Sequence, residues 1–200
     1  MEVNCWKMNS CEDCPECCPC LWYNRMLYFI THSLLPKKRL FSEKLKVINC
    51  DDYARLMNIK KHITSFVDEG KNLVLTIKDK TNEPIEYGIK LLLSYFNQVA
   101  YSEYEMKGLF IDMPLYIDKI KDNIKIPDTD LVELKKYINK VDLVVFYNYG
   151  AMSDYISGVV QSNIETRSNN KLTSIFIKGD TANENSDSIL KKLDRVELSI

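Results

Sequence analysis

Six of the seven cysteines stand at the N-terminus, at Cys5, Cys11, Cys14, Cys17, Cys18 and Cys20, while Cys50 stands apart. Cys11, Cys14, Cys17 and Cys20 repeat as C-x2-C-x2-C-x2-C. Four thiolates at that spacing, with Pro15 and Pro19 shaping the turns between them, suit a tetrahedral metal centre. Zinc and an iron–sulfur cluster both meet that description, and Cys5 and Cys18 are spare thiols in either case. The competing reading is an unmetallated, oxidation-prone tail. Cys50 reads as a packed thiol rather than a ligand.

Two further groups of residues could carry chemistry. Lys37, Lys38, Arg39, Lys44 and Lys46 surround Phe41, a combination able to meet a nucleic-acid backbone or an acidic protein face. The plainer reading of that run is a solvated linker. His32 and His62 fall within helical patterns and have no nucleophile or acid–base motif nearby, so neither is expected to be catalytic. His32 is a minor candidate ligand.

The chain has 200 residues and a formal net charge of -1, enough for one main core and without the charge excess that marks a nucleic-acid or membrane-surface protein. No apolar run approaches the length that spans a bilayer and the N-terminus is unlike a signal sequence, so the expectation is a soluble, cytoplasmic protein with no membrane partner. Residues 22–35 read as an aromatic-rich helix closed by Pro36. A second helix follows from a cap at Asp51 or Asp52, with Tyr53, Leu56, Ile59, Ile63, Phe66 and Val67 at helical spacing and Gly70 as its stop. Beyond it, short apolar runs at 72–77, 108–112, 141–146 and 172–177 read as strands, and 85–98, 116–123, 130–139 and 155–166 read as helices. Residues 181–186 read as a polar loop before a charged closing segment at 189–200. Alternating strands and helices predict an α/β fold with a parallel sheet covered on both faces. The expected division is a cysteine-rich metal-binding module with its linker at 1–50 and the core at 51–200.

Six stretches carry a family pattern in order and separation: CEDCPECCPC, MNIKKHITSFVDEGKNL, IKLLLSYFNQV, GLFIDMPLYIDKIKDNI, LKKYINKVDLVVF and LDRV. Together they resemble the phage and bacterial helicase loaders of the DnaC and DnaI type, over nearly the whole chain. The resemblance implies a RecA-like AAA+ core of P-loop type, preceded by a small cysteine-rich module. It implies zinc, rather than an iron–sulfur cluster, at Cys11, Cys14, Cys17 and Cys20. It also implies a part in DNA replication, with the replicative DNA helicase, an active loader paralogue and single-stranded DNA as partners. The segment holding Trp22, Tyr23, Tyr28 and Phe29 is then either a partner-gripping helix or one packed on the metal site or the core.

Laid on the family pattern, the ATP machinery is missing. A phosphate-binding loop needs glycines, a lysine and a Ser or Thr for magnesium. Here Thr81 and Glu83 stand at glycine positions, Pro84 at the lysine and Ile85 at the hydroxyl residue. Pro84 brings neither a cation nor an N–H. The paired acidic residues that hold magnesium are replaced by Tyr147 and Asn148, and the polar sensor position falls near Gly179. Arg195 matches one arginine of the closing segment and Ser199 stands where a second would be. Arg167 and Arg195 are the candidates for subunit-interface arginines. The reading is a pseudo-ATPase that takes no ATP and acts by binding. The alternatives are a metal-site nucleic-acid-binding protein with no helicase connection, and an ATPase with an atypical nucleotide site built on Lys78 or Lys80.

Overall fold

Continuous apolar runs, buried on both faces, build the centre of the molecule. The computed structural model describes residues 19–40, 44–101, 105–123, 129–150, 152–179 and 184–200. Strands β1 (Asn72–Thr76), β2 (Gly108–Asp112), β3 (Leu143–Tyr149), β4 (Thr173–Lys178) and β5 (Arg195–Ser199) lie parallel in the order β2-β3-β4-β1-β5. Successive side chains on a strand point to opposite faces. Leu73, Leu75, Val145, Ile175 and Ile177 therefore enter one buried cluster, and Val74, Val144, Phe146 and Phe176 enter another.

Helices α1 (Pro19–His32), α2 (Asp51–Lys61), α3 (Ile63–Asp68) and α4 (Pro84–Val99) cover the first face. Helices α5 (Met113–Asn123), α6 (Thr129–Ile138), α7 (Asp154–Asn169) and α8 (Glu184–Lys191) cover the second. Helix α4 lies close on the sheet at Gly88, where a Cβ would come within 2.8 Å of Ile177 Cδ1 and 2.9 Å of Val145 Cγ1. A larger residue there would have to displace those side chains. No helix among the described residues is long and apolar enough to cross a membrane.

Several expectations need correction. Cys50 caps α2 in place of Asp51 or Asp52, its Sγ accepting the Tyr53 N–H at 3.3 Å. The single helix expected after it is broken at His62, whose φ of -115° and ψ of 38° are not helical. β3 runs on through Tyr147 and Asn148 to Tyr149. The closing segment is not one element: α8 begins within the stretch read as a loop, and β5 pairs with β1 along its length. The aromatic-rich segment, left open between a partner-gripping helix and one packed on the metal site or the core, packs on the core. Phe29 is fully buried, its ring 5.2 Å from that of Phe96.

Each outer strand of the sheet has an outward N–H that the chain itself satisfies. On β2 the Phe110 N–H donates to the carbonyl of buried Ser33 at 2.7 Å. On β5 the Ser199 N–H donates to Asp52 Oδ2 at 2.8 Å.

Arg167, expected at a subunit interface, is instead fully buried. Its Nε donates to Ser174 Oγ at 2.9 Å, and its terminal nitrogens donate to the carbonyls of Val141 at 2.9 Å, Asp142 at 3.3 Å, Ile138 and Thr173. These acceptors belong to the end of α6 and the amino ends of β3 and β4. Burial pulls the guanidinium down to about 9, opposed by the Asp142 charge, so it remains a cation at neutral pH. Asp142 is in turn held by Tyr95 OH at 3.0 Å and Lys107 Nζ at 3.4 Å. Replacing Arg167 by Met is expected to cost about 3–5 kcal/mol, because it orphans several buried carbonyls at once. Lys, with no planar fork of donors, should recover little of that. Denaturant midpoints of the two variants test this; a change within about 0.5 kcal/mol would assign Arg167 to the surface class.

Candidate functional site

In open parallel sheets ligands bind outside the carboxyl ends of the strands, where the strand order reverses. That place is the carboxyl end of β1, because the chain crosses from β1 to the far edge at β2 and later returns to β1's other side as β5. Residues 77–83 join β1 to α4 there, and none of them is glycine.

The loop is held from several sides by the chain itself. The Lys78 and Asp79 N–H groups both donate to the Ile200 carbonyl, the latter at 3.0 Å, and the Ile200 N–H donates to the Thr76 carbonyl at 2.9 Å. Asp79 Oδ1 accepts the Thr81 N–H at 2.7 Å, and hydrogen bonds from Thr81 hold the Asp79 carboxyl below its ordinary range. Asn82 is buried. Its Oδ1 accepts the Lys46 N–H at 2.7 Å, while its Nδ2 donates to the Lys46 carbonyl at 3.0 Å and to Tyr87 OH at 3.2 Å. Lys46 thus offers a backbone donor and acceptor side by side, and one side-chain amide satisfies both. Arg39, in the short 3-10 turn Lys37–Arg39, pairs with Glu83.

Carboxylates flank the entrance of α4, without a capping hydrogen bond from the Glu83 side chain. Glu83 is the N-cap residue, Pro84 opens the helix without an N–H, and Glu86 lies in the first turn. A helix start attracts anions through its free N–H groups and dipole, but here two carboxylates of the chain already stand beside it. Ile85 packs against the first core cluster and Thr81 is exposed. Lys78 and Lys80 are exposed as well.

At the end of β3, Tyr147 stacks on Phe110 with ring centroids 5.8 Å apart. Asn148 adopts a left-handed φ of 54°, and the ladder with β4 shifts register between Phe146 and Tyr149. That shift turns the Asn148 amide towards Gly179, where a Cβ would lie 2.1 Å from Asn148 Oδ1. The missing side chain at Gly179 and the amide at Asn148 are therefore one packing solution. Asp112 places a strand-end carboxylate opposite Tyr147 in the β2–β3 ladder.

Thr81, Glu83, Pro84 and Ile85 are gathered at one loop–helix junction, and Tyr147 and Asn148 lie two strands away across β4. Arg167 and Arg195 are not brought to this end. Arg195 starts β5 opposite Asn72 and bonds to Glu197 and the Leu193 carbonyl. Cys11, Cys14 and Cys17 lie outside the described residues, and Cys20 is buried on the first turn of α1. Among the described residues no group of three or more His, Cys, Asp or Glu is placed to hold a metal. Sequence reasoning missed the clasp of Asn82 on Lys46 and of Arg39 on Glu83.

No family model and no curated protein matches the sequence. Solved structures do match. The DnaC helicase loader superposes with a TM-score of 0.54 at 17% identity, over 82% of this chain and 99% of that one. DnaI gives 0.55 at 19% identity, over 84% and 92%. A candidate primosome component from Streptococcus pyogenes serotype M3 gives 0.53 at 16% identity, over 84% and 90%. The chain shares their fold; the parallel sheet expected from the sequence is present, with β5 as a fifth strand beyond the four expected.

Burial pushes the Asp112 carboxyl above its ordinary range, against a lowering hydrogen bond from the Leu115 N–H. A carboxyl raised on folding contributes stability that is present below the unfolded value, near 4, and is lost as pH rises through the folded value. Asn at position 112 can still accept from Leu115 without carrying charge. Asp112→Asn is therefore expected to gain stability relative to wild type at neutral pH, and the gain should shrink as pH falls through the carboxylate range. Thermal melts across that range check the sign.

Proposed function

We propose that this chain is a non-catalytic DNA-replication protein that acts by binding, with the replicative DNA helicase or other loader subunits as its partners. The observation that carries the reading is the closed β1–α4 loop, in a fold shared with the DnaC helicase loader and DnaI. Where a phosphate loop would leave backbone N–H groups free, Asn82 is clasped to Lys46, Glu83 is paired with Arg39, and Pro84 fills the first helical position. A triphosphate brought there would meet Glu83 and Glu86. Magnesium would find Tyr147 and Asn148 at the end of β3, neither of which supplies a carboxylate. Without turnover, switching must come from partners that bind one state of the protein better than another.

The N-terminal cysteines complete the proposal. Cys11, Cys14, Cys17 and Cys20 would hold one zinc ion as thiolates, fixing the chain that leads into α1. Protein purified without added metal is expected to carry about one zinc per chain. A folded, metal-free product would remove zinc from the proposal and leave the binding role standing.

The function itself is tested by a crosslinked pull-down of the tagged full-length chain from its native cells, alongside titration with ATP and magnesium. Enrichment of replicative helicase or an active loader, with no nucleotide binding, is the expected pair of results. Magnesium-dependent ATP turnover that is abolished by changing Lys78 or Lys80 would overturn the non-catalytic reading in favour of an atypical ATPase.

A further inference from the structure

We propose that residues 44–50, with the turn at Lys37–Arg39, form a releasable strap that is the resident ligand of the β1–α4 loop. Residues 44–50 release while the sheet beneath them stays closed. Two anchors of different character hold it. One is the Asn82 amide, buried and bonded to both the N–H and the carbonyl of Lys46. The other is the Arg39–Glu83 pair, whose side chains are 43% and 59% exposed, so that salt screens it.

Between the anchors and α2 the strap has little else. Residues 44–49 belong to no helix or strand, and Lys44, Lys46, Val47 and Asn49 are exposed. Leu45, Ile48 and Cys50 rest half-buried against the core. β1, directly below the loop, is paired on both sides along its length. Segments with few backbone hydrogen bonds and few buried contacts open at lower free energy than the strands they cover. The strap therefore covers the β1–α4 loop, at the carboxyl end of the sheet where open parallel sheets take ligands. Opening it would free the Asn82 amide and the Glu83 carboxylate together.

Hydrogen exchange resolved to single amides, with trypsin cleavage after Lys44 and Lys46, tests this on the full chain. In wild type the Lys46 amide should exchange faster than those of Leu73 and Leu75 and more slowly than an unprotected one. Asn82→Ala should speed Lys46 exchange and cleavage by about tenfold or more, with Leu73 and Leu75 unchanged. Glu83→Gln should give a smaller increase and abolish the acceleration that salt produces in wild type. Should Asn82→Ala fail to fold, Asn82→Asp keeps the acceptor for the Lys46 N–H, drops the donor, and should show the same direction. Lys46 exchange unaltered by either substitution at Asn82, or keeping step with Leu73 and Leu75 throughout, would overturn the strap. The inference rests on the loop taking no nucleotide, and the two fail separately. ATP with magnesium that speeds Lys46 exchange would refute that reading while showing the strap to be displaceable.

Discussion

The fold depends on one buried cation. Arg167 gathers the carbonyls of Ile138, Val141, Asp142 and Thr173 with the Ser174 hydroxyl, and so ties the end of α6 to the starts of two central strands. Beside it Asn72 does the same on a smaller scale, accepting the Ser174 N–H at 3.1 Å and donating to the Asp194 carbonyl at 3.1 Å. Backbone groups at strand entrances have lost one ladder partner and cannot be buried unpaired. Polar side chains thus fix the amino ends of β1, β3 and β4. With those ends set, the carboxyl ends can carry loops of any chemistry without loss of the sheet.

The carboxyl ends use the same device to a different result. Asn82 and Asn148 are both amides that fill places where a ligand or a longer side chain could stand, the first against Lys46 and the second against Gly179. Asn82 is satisfied within the chain, and Asn148 is packed against Gly179. A buried amide with all its bonds made is a stable arrangement, and one left half-bonded is costly. These positions are consequently committed to internal contacts in the resting protein, in a way that an open, glycine-rich loop would not be.

Much of this architecture was legible in the residues. β1, β2, β3 and β4 are short apolar runs buried on both faces, which is the pattern a covered parallel sheet produces, and they fell within a few residues of their expected bounds. β5 was missed because Arg195, Glu197 and Ser199 alternate with Val196 and Leu198, as suits an exposed edge strand but looks polar in a window. Arg167 was misplaced by a rule about residue type. Its spacing held the better signal, since Ile156, Val160 and Ile164 are buried on α7 and Arg167 continues that stripe at helical intervals. The clasp of Asn82 on Lys46 joins positions 36 apart, and no local pattern encodes a pairing of that range. The identities of Glu83, Pro84 and Tyr147 were informative alone, because what they lack is a property of the residue.

The two outward N–H groups that Ser33 and Asp52 satisfy bear on how the protein behaves in a crowd. An edge strand with free backbone groups is a template on which another chain can add a strand and begin to aggregate. Ser33 blunts the β2 edge and Asp52 the β5 edge, but the two guards come from different parts of the chain. A fragment beginning at Asp51 would keep the second and lose the first. Its β2 edge would stand open to intermolecular strand addition, and its core would lack the buried Phe29 and Leu35.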